Sequence, residues 1–181
     1  MVVDDDLRPI PPGSGQVGRL ATRGRVPLGY HGDPDKSART FVEIDGQRWA
    51  LPGDMATIDP DGTIRLLGRG SLCINTGGEK VYPEEVEAVL TAHPAVADVV
   101  VVGVPDDRWG QRVVAVIQAG GGAAPTATDL RDWCRSRLAR YKAPRQVHVV
   151  DEVVRSPAGK ADYAWAREIA LQAAGTLTVT D

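Results

Sequence analysis

The sequence predicts an α+β protein whose two halves differ in rhythm: a β-rich segment over residues 1–69, then a compact α+β domain with a small three-stranded sheet over residues 70–181. Three observations carry this. Asp45-Gly46 and Asp61-Gly62 each lie between short runs of strand-forming residues, which is a strong local hairpin signal. Val96 to Val104 is an almost unbroken β-branched run and reads as a buried strand. Pro83-Glu84-Glu85 opens a segment in which Val86, Val89 and Leu90 recur at i, i+3 and i+4, the period of a helix.

In chain order, Val17 to Ala21, Thr40 to Ile44 and Arg48 to Leu51 read as strands, the last two joined at Asp45-Gly46. Pro34 to Arg39 suits one or two helical turns, and Pro9, Pro11, Pro12, Gly13 and Gly15 mark an early loop. Met55 to Ile58 and Thr63 to Leu67 flank the second hairpin turn. Pro83 stands at a first helical position, and Glu84 and Glu85 follow where the helix dipole favours anions. Val113 to Ile117 is a second strand, and Gly120-Gly121-Gly122 is a turn. Thr126 or Thr128 caps a helix from Asp129 to Leu138. Gln146 to Val150 is a third strand and Ala161 to Leu171 the last helix. The tail from Gln172 to Asp181 has no periodicity and is expected to fray. The rhythm changes near Gly68-Arg69-Gly70-Ser71, which marks a hinge near Gly70-Ser71.

Composition narrows the function. A net charge of −3 and a single phenylalanine argue against a nucleic-acid binder. Cys73 and Cys134 are too few for a disulfide framework, so a reducing cytoplasm is the expected compartment. Met1-Val2-Val3-Asp4-Asp5-Asp6 lacks the basic and apolar regions of a signal peptide, and no apolar run reaches the roughly eighteen residues of a membrane span. His31, His93 and His148 have no metal-ligand spacing and the cysteines lie far apart, so no metal site is expected.

Lys160, in Ser156-Pro157-Ala158-Gly159-Lys160-Ala161-Asp162-Tyr163, is one of four lysines against seventeen arginines. An ammonium is a compact point charge that reaches a single phosphate or carboxylate oxygen in a way a planar guanidinium does not. Gly159 frees the backbone beside it and Pro157 stiffens the approach. Taken alone, such a run also describes a solvated loop. Upstream stands a ladder: Gly53-Asp54, Asp59-Pro60-Asp61-Gly62, Gly68-Arg69 and Ile74-Asn75-Thr76-Gly77-Gly78-Glu79-Lys80-Val81-Tyr82-Pro83-Glu84-Glu85-Val86-Glu87. With Val104-Pro105 and Arg108-Trp109-Gly110-Gln111, it resembles the C-terminal motifs of the adenylate-forming superfamily, which holds acyl-CoA synthetases, peptide-synthetase adenylation domains and beetle luciferases. The wording from Leu51 to Glu87 looks most like actinobacterial fatty-acid or steroid-acid CoA ligases.

The resemblance implies roles residue by residue. Asp54 would bind the ribose hydroxyls of ATP and AMP, as a carboxylate accepting two donors can. Arg69 would contact the ribose or phosphate side of the nucleotide, or hold the interdomain contact. Ser71 would be the hinge, where the family usually has aspartate or lysine, and Pro52 stands where threonine or serine is common. Gly77, Gly78 and Glu79, with Trp109, would line the tunnel for the pantetheine arm of coenzyme A. Arg131, Arg135, Arg137, Arg140, Lys142 and Arg145 form a basic cluster, within which Lys142 and Arg145 are the candidates for coenzyme A phosphates. Lys160 would be catalytic in adenylation.

The same resemblance implies that residues 1–69 are the end of a large adenylation domain and residues 70–181 a small mobile domain. The phosphate-binding loop, the acid pocket and the adenine-binding segment of such a ligase are absent here, so the chain is expected to be a C-terminal fragment, inactive alone. The implied enzyme activates a carboxylic acid with ATP, assisted by Mg2+ held mainly outside this chain, and passes the acyl group to coenzyme A. Copies of the fragment could associate through exposed strands. Two other readings stay open: an adenylation domain loading a carrier protein, and a non-catalytic binding module that kept the fold.

Overall fold

A computed structural model of the chain describes residues 1–122 and 124–172, and the backbone of residues 176–178. The chain divides into two compact units, Met1–Ser71 and Leu72–Asp181.

The first unit contains β1 (Val2–Val3), β2 (Gly18–Leu20), α1 (Pro34–Thr40), β3 (Phe41–Ile44), β4 (Gln47–Ala50), β5 (Asp54–Ile58) and β6 (Ile64–Arg69). An antiparallel sheet runs in the order β1-β2-β5-β6, and β3 and β4 form a separate hairpin. Both turn residues of that hairpin have positive φ, 51° at Asp45 and 68° at Gly46, which matches the twist of a tight hairpin. α1 begins where the Asp33 carboxylate accepts from the Lys36 N–H and Pro34 fixes the first turn. Strand β1 carries no sequence signal, because two valines are too short a run to show alternation. It forms because pairing with β2 buries both side chains.

The second unit contains β7 (Ile74–Thr76), β8 (Glu79–Val81), α2 (Pro83–Thr91), β9 (Val96–Asp106), β10 (Gly110–Ala119), α3 (Ala127–Arg135), β11 (Gln146–Val150), α4 (Tyr163–Leu171) and β12 (Thr176–Thr178). The three expected strands β9, β10 and β11 are there, and β7, β8 and β12 extend them to a six-stranded sheet. β10 pairs antiparallel with β9 and parallel with β11, so α3 serves as the crossover that a parallel pair requires.

Along β9, Val99 and Val101 pack with α2 and α3, while Val100, Val102 and Val104 pack with α4. On β10, Val113, Ala115 and Ile117 join the first cluster, Val114 and Val116 the second. The sheet is therefore covered on both faces, which is why its central strands read as continuous apolar runs.

Several element ends differ from expectation, and three have a clear cause or consequence. α3 stops at Arg135 rather than Leu138, because the Arg137 and Leu138 N–H groups both turn back to the Cys134 carbonyl. α4 starts at Tyr163 rather than Ala161, because the Asp162 carboxylate accepts from the Ala164 and Trp165 N–H groups and caps the helix there. Within the tail expected to fray, Thr176–Thr178 pairs with β11; residues 173–175 and 179–181 of that tail lie outside the described residues.

Candidate functional site

In the second unit, β7 and β8 pair as Ile74↔Val81, Asn75↔Lys80 and Thr76↔Glu79, which leaves Gly77-Gly78 as a two-residue turn. Both glycines have positive φ, 60° and 87°, conformations that glycine adopts without strain. They are not equivalent. The Gly77 N–H donates to the Trp109 carbonyl at 2.9 Å, and a Cβ on Gly77 would stand 2.7 Å from Cε3 of the Trp109 ring. A Cβ on Gly78 would meet no atom within 4 Å. The sequence treats the pair as one motif; the packing sets Gly77 against the Trp109 ring and leaves Gly78 facing open space.

Trp109 is held on a short turn. Oδ1 of Asp106 accepts from the Arg108 and Trp109 N–H groups, each at 3.0 Å, and Arg112 pairs with the same carboxylate at 3.7 Å. The guanidinium carbons of Arg108 and Arg145 each lie 4.8 Å from the centre of the Trp109 ring, within cation–π range. Beside the ring lies a cavity of about 290 Å³, lined by Thr76, Gly77, Glu79, Trp109, Arg131, Arg135, Arg140, Tyr141, Ala143 and Arg145. Four arginines against the single carboxylate of Glu79 give it a positive potential suited to phosphates.

Two of those arginines, Arg131 and Arg135, come from α3, one turn apart, and Arg131 is buried. A capping box at Thr126 and Asp129 fixes where that helix begins. The basic cluster is legible as a run, but not its meeting with Trp109, because α3 and the Trp109 turn lie on separate elements of the chain.

Lys142 does not line the cavity. Its ammonium donates to both carboxylate oxygens of Glu85 at 2.7 Å, which ties the turn Arg140–Lys142 to the start of α2. Arg145 does line it, and its N–H donates to the Val113 carbonyl at 2.9 Å.

In the first unit, Asp54 and Arg69 are register partners across β5 and β6. Arg69 Nε lies 3.1 Å from Asp54 Oδ1, and its Nη1 donates to the Pro52 carbonyl at 2.7 Å. The Gly70 N–H closes the same corner on the Gly53 carbonyl at 3.1 Å. Ser71 follows in a single 3-10 turn, Gly70–Leu72, at the boundary of the two units.

Lys160 is exposed on a tight loop closed by an isolated bridge between Arg155 and Ala161. The Ser156 N–H donates to the Lys160 carbonyl and the Gly159 N–H to the Ser156 carbonyl, both at 2.8 Å, while the Lys160 N–H donates to Ser156 Oγ at 3.1 Å. Gly159 has a φ of 76°, the left-handed conformation the turn requires. Among the described residues, the Lys160 ammonium has no acidic partner. The loop leads into α4, where the Tyr163 hydroxyl lies 3.3 Å from the half-buried carboxylate of Glu87. Burial, reinforced by the neighbouring Glu84 carboxylate, pushes Glu87 up to about 7, although it accepts from the Val101 N–H at 2.8 Å. No group of three or more His, Cys, Asp or Glu side chains that could hold a metal ion occurs among the described residues.

A family profile for the AMP-binding enzyme C-terminal domain matches residues 85–160, from the first turn of α2 to the exposed lysine. Residues 85–160 thus carry an AMP-binding enzyme C-terminal domain. Relatives of the chain include the medium/long-chain-fatty-acid–CoA/3-oxocholest-4-en-26-oate–CoA ligase of Mycobacterium tuberculosis, 55% identical over 93% of the chain and 31% of the relative. The 3-oxocholest-4-en-26-oate–CoA ligase of Rhodococcus rhodochrous is 55% identical over 92% of the chain and 30% of the relative. The amide bond synthetase McbA of Marinactinospora thermotolerans superposes with a TM-score of 0.80 at 35% identity, over 92% of this chain and 33% of that one. The chain thus spans about a third of the length of the curated relatives it matches.

Proposed function

We propose that this chain is the C-terminal part of an AMP-forming acid–thiol ligase that activates a medium- or long-chain fatty acid or a steroid acid and transfers it to coenzyme A. The observation that carries the reading is the arginine-lined cavity beside Trp109 and Gly77, in a domain whose relatives bear the names of CoA ligases. Residues 1–69 are the end of the large adenylation domain, Asp54 and Arg69 serve the nucleotide, and residues 70–181 turn as a mobile domain about Ser71.

In the first half-reaction a carboxylate oxygen attacks the α-phosphorus of ATP, and pyrophosphate leaves with the bonding electrons. The exposed ammonium of Lys160 neutralises charge that develops on the phosphorus oxygens. Mg2+, held by residues outside this chain, would screen the leaving phosphates. In the second half-reaction the thiol of coenzyme A attacks the acyl carbon and AMP leaves. The Gly77-Gly78 turn, Glu79 and Trp109 flank the path of the pantetheine arm, and Arg145 with its neighbouring arginines holds the anionic end. Lys142, engaged by Glu85, holds the cavity wall in place. Two free cysteines, Cys73 and Cys134, suit a cytoplasmic enzyme, and the edge strand β6, with Leu66 exposed, is where copies would associate.

The test is Lys160→Ala in the intact ligase. Single-turnover pyrophosphate release is expected to slow about a hundredfold or more, while acyl-CoA formation from supplied acyl-adenylate stays near the parent rate. Equal losses in the two half-reactions would refute the assignment of Lys160.

A further inference from the structure

The loop that carries Lys160 is clamped to the body of its domain by Arg155. Nε and Nη2 of Arg155 donate to Oδ2 and Oδ1 of Asp98, both at 2.6 Å, a bidentate pair between residues 57 positions apart. Oδ1 of Asp98 also accepts from the Val99 N–H at 2.7 Å, so the carboxylate is fixed to β9. The remaining arm of Arg155 does something else: Nη1 donates to the Gly159 carbonyl at 3.2 Å, the peptide that leads directly into Lys160. One planar guanidinium thus joins a rigid strand to the residue before the lysine, a geometry a lysine could not supply. The side chains of the pair are 37% and 27% exposed, so it adds little to global stability. Its direction, at the neck of the loop, is what distinguishes it.

We propose that Arg155 is a positioning residue for Lys160: held by Asp98, it fixes the Gly159 peptide and hence the direction in which the loop presents the ammonium. This rests on Lys160 acting in adenylation. A misplacement of a reacting group by about an ångström lowers rates by as much as about a hundredfold.

The experiment uses the intact ligase with Arg155→Gln, Arg155→Lys, Asp98→Asn and the double variant Asp98→Asn/Arg155→Gln, beside Lys160→Ala. Each single variant is expected to slow single-turnover pyrophosphate release about ten- to a hundredfold and to leave thioester formation from supplied acyl-adenylate within about twofold of the parent. The double variant should be no slower than the slower single, because the two groups act as one unit. Arg155→Lys, which keeps the charge and loses the fork, should stay slow. In the 181-residue chain, Arg155→Gln should speed amide exchange at Gly159 and Lys160 while Val96 to Val104 keep their protection. Parent-like pyrophosphate release in these variants, with Lys160→Ala slow, overturns the proposal alone. Equal slowing of both half-reactions overturns it too, by reducing the pair to a fold contact. If Lys160→Ala itself is inert, the reading of Lys160 has failed and the positioning role falls with it.

Discussion

Gly77 and Gly78 differ by what surrounds each α-carbon, and substitution should separate them. In Gly77→Ala the new methyl collides with the Trp109 ring, so ring or hairpin must move. An overpacked contact in a left-handed conformation is expected to cost about 2–3 kcal/mol in urea unfolding of the 181-residue chain. Gly78→Ala faces open space and should cost only the backbone strain, about 1 kcal/mol. In the intact ligase, Gly78→Leu should let the adenylate accumulate while acyl-CoA formation falls; a parent-like acyl-CoA yield would remove this turn from the thiol path. Glu87 makes a prediction about pH. Its folded-state value, about 7, lies above the ordinary carboxylate value of 4.5, so between the two the folded chain holds a proton the unfolded chain has released. Stability therefore falls as pH rises through that window. Glu87→Gln stays neutral and keeps a carbonyl for the Val101 N–H. It should flatten the slope and gain about 1–3 kcal/mol over the parent near pH 8. Parallel pH curves for the two proteins would show that Glu87 does not titrate differently on unfolding.

At the scale of elements, α3 joins stability to the cavity. Its capping box satisfies the first N–H groups and sets the helical phase that turns Arg131 and Arg135 toward Trp109. Thr126→Ala should cost about 1 kcal/mol in stability. Arg145→Ala should leave stability nearly unchanged and, in the intact ligase, raise the KM for coenzyme A about tenfold without slowing pyrophosphate release. An unchanged KM would detach the cavity from the thiol substrate. The strands show how far periodicity carries: β9 and β11 lie where their β-branched runs stand, because burial on both faces leaves no polar alternation to misread. β7 and β8 were legible only as a glycine motif, since three-residue strands become strands by pairing.

For the whole molecule, the distribution of buried apolar side chains sets unequal stabilities. Among the described residues, seven lie in the first unit and twenty-four in the second. At roughly 1.5–3 kcal/mol for each large side chain fully buried, the difference outweighs any surface ion pair. Amides of Met55 to Leu67 should therefore exchange faster than those of Val96 to Val104, and hydrogen-exchange mass spectrometry resolves the two. Equal protection would mean that the halves unfold as one.

The sequence by itself determined the α+β class, the two hairpin turns, most helices and the central strands, because each is written in local terms: turn residues, caps and the period of apolar positions. It also carried the ladder of motifs from Gly53 to Lys160 that points to the AMP-binding enzymes. Only the tertiary structure decided that Arg131 and Arg135 share a cavity with Trp109, that Lys142 is engaged by Glu85, and that Arg155 reaches both Asp98 and Gly159. Those contacts join residues tens of positions apart. Which side chains meet is set by strand register and by the faces on which helices pack, and neither is encoded in any local stretch of the chain.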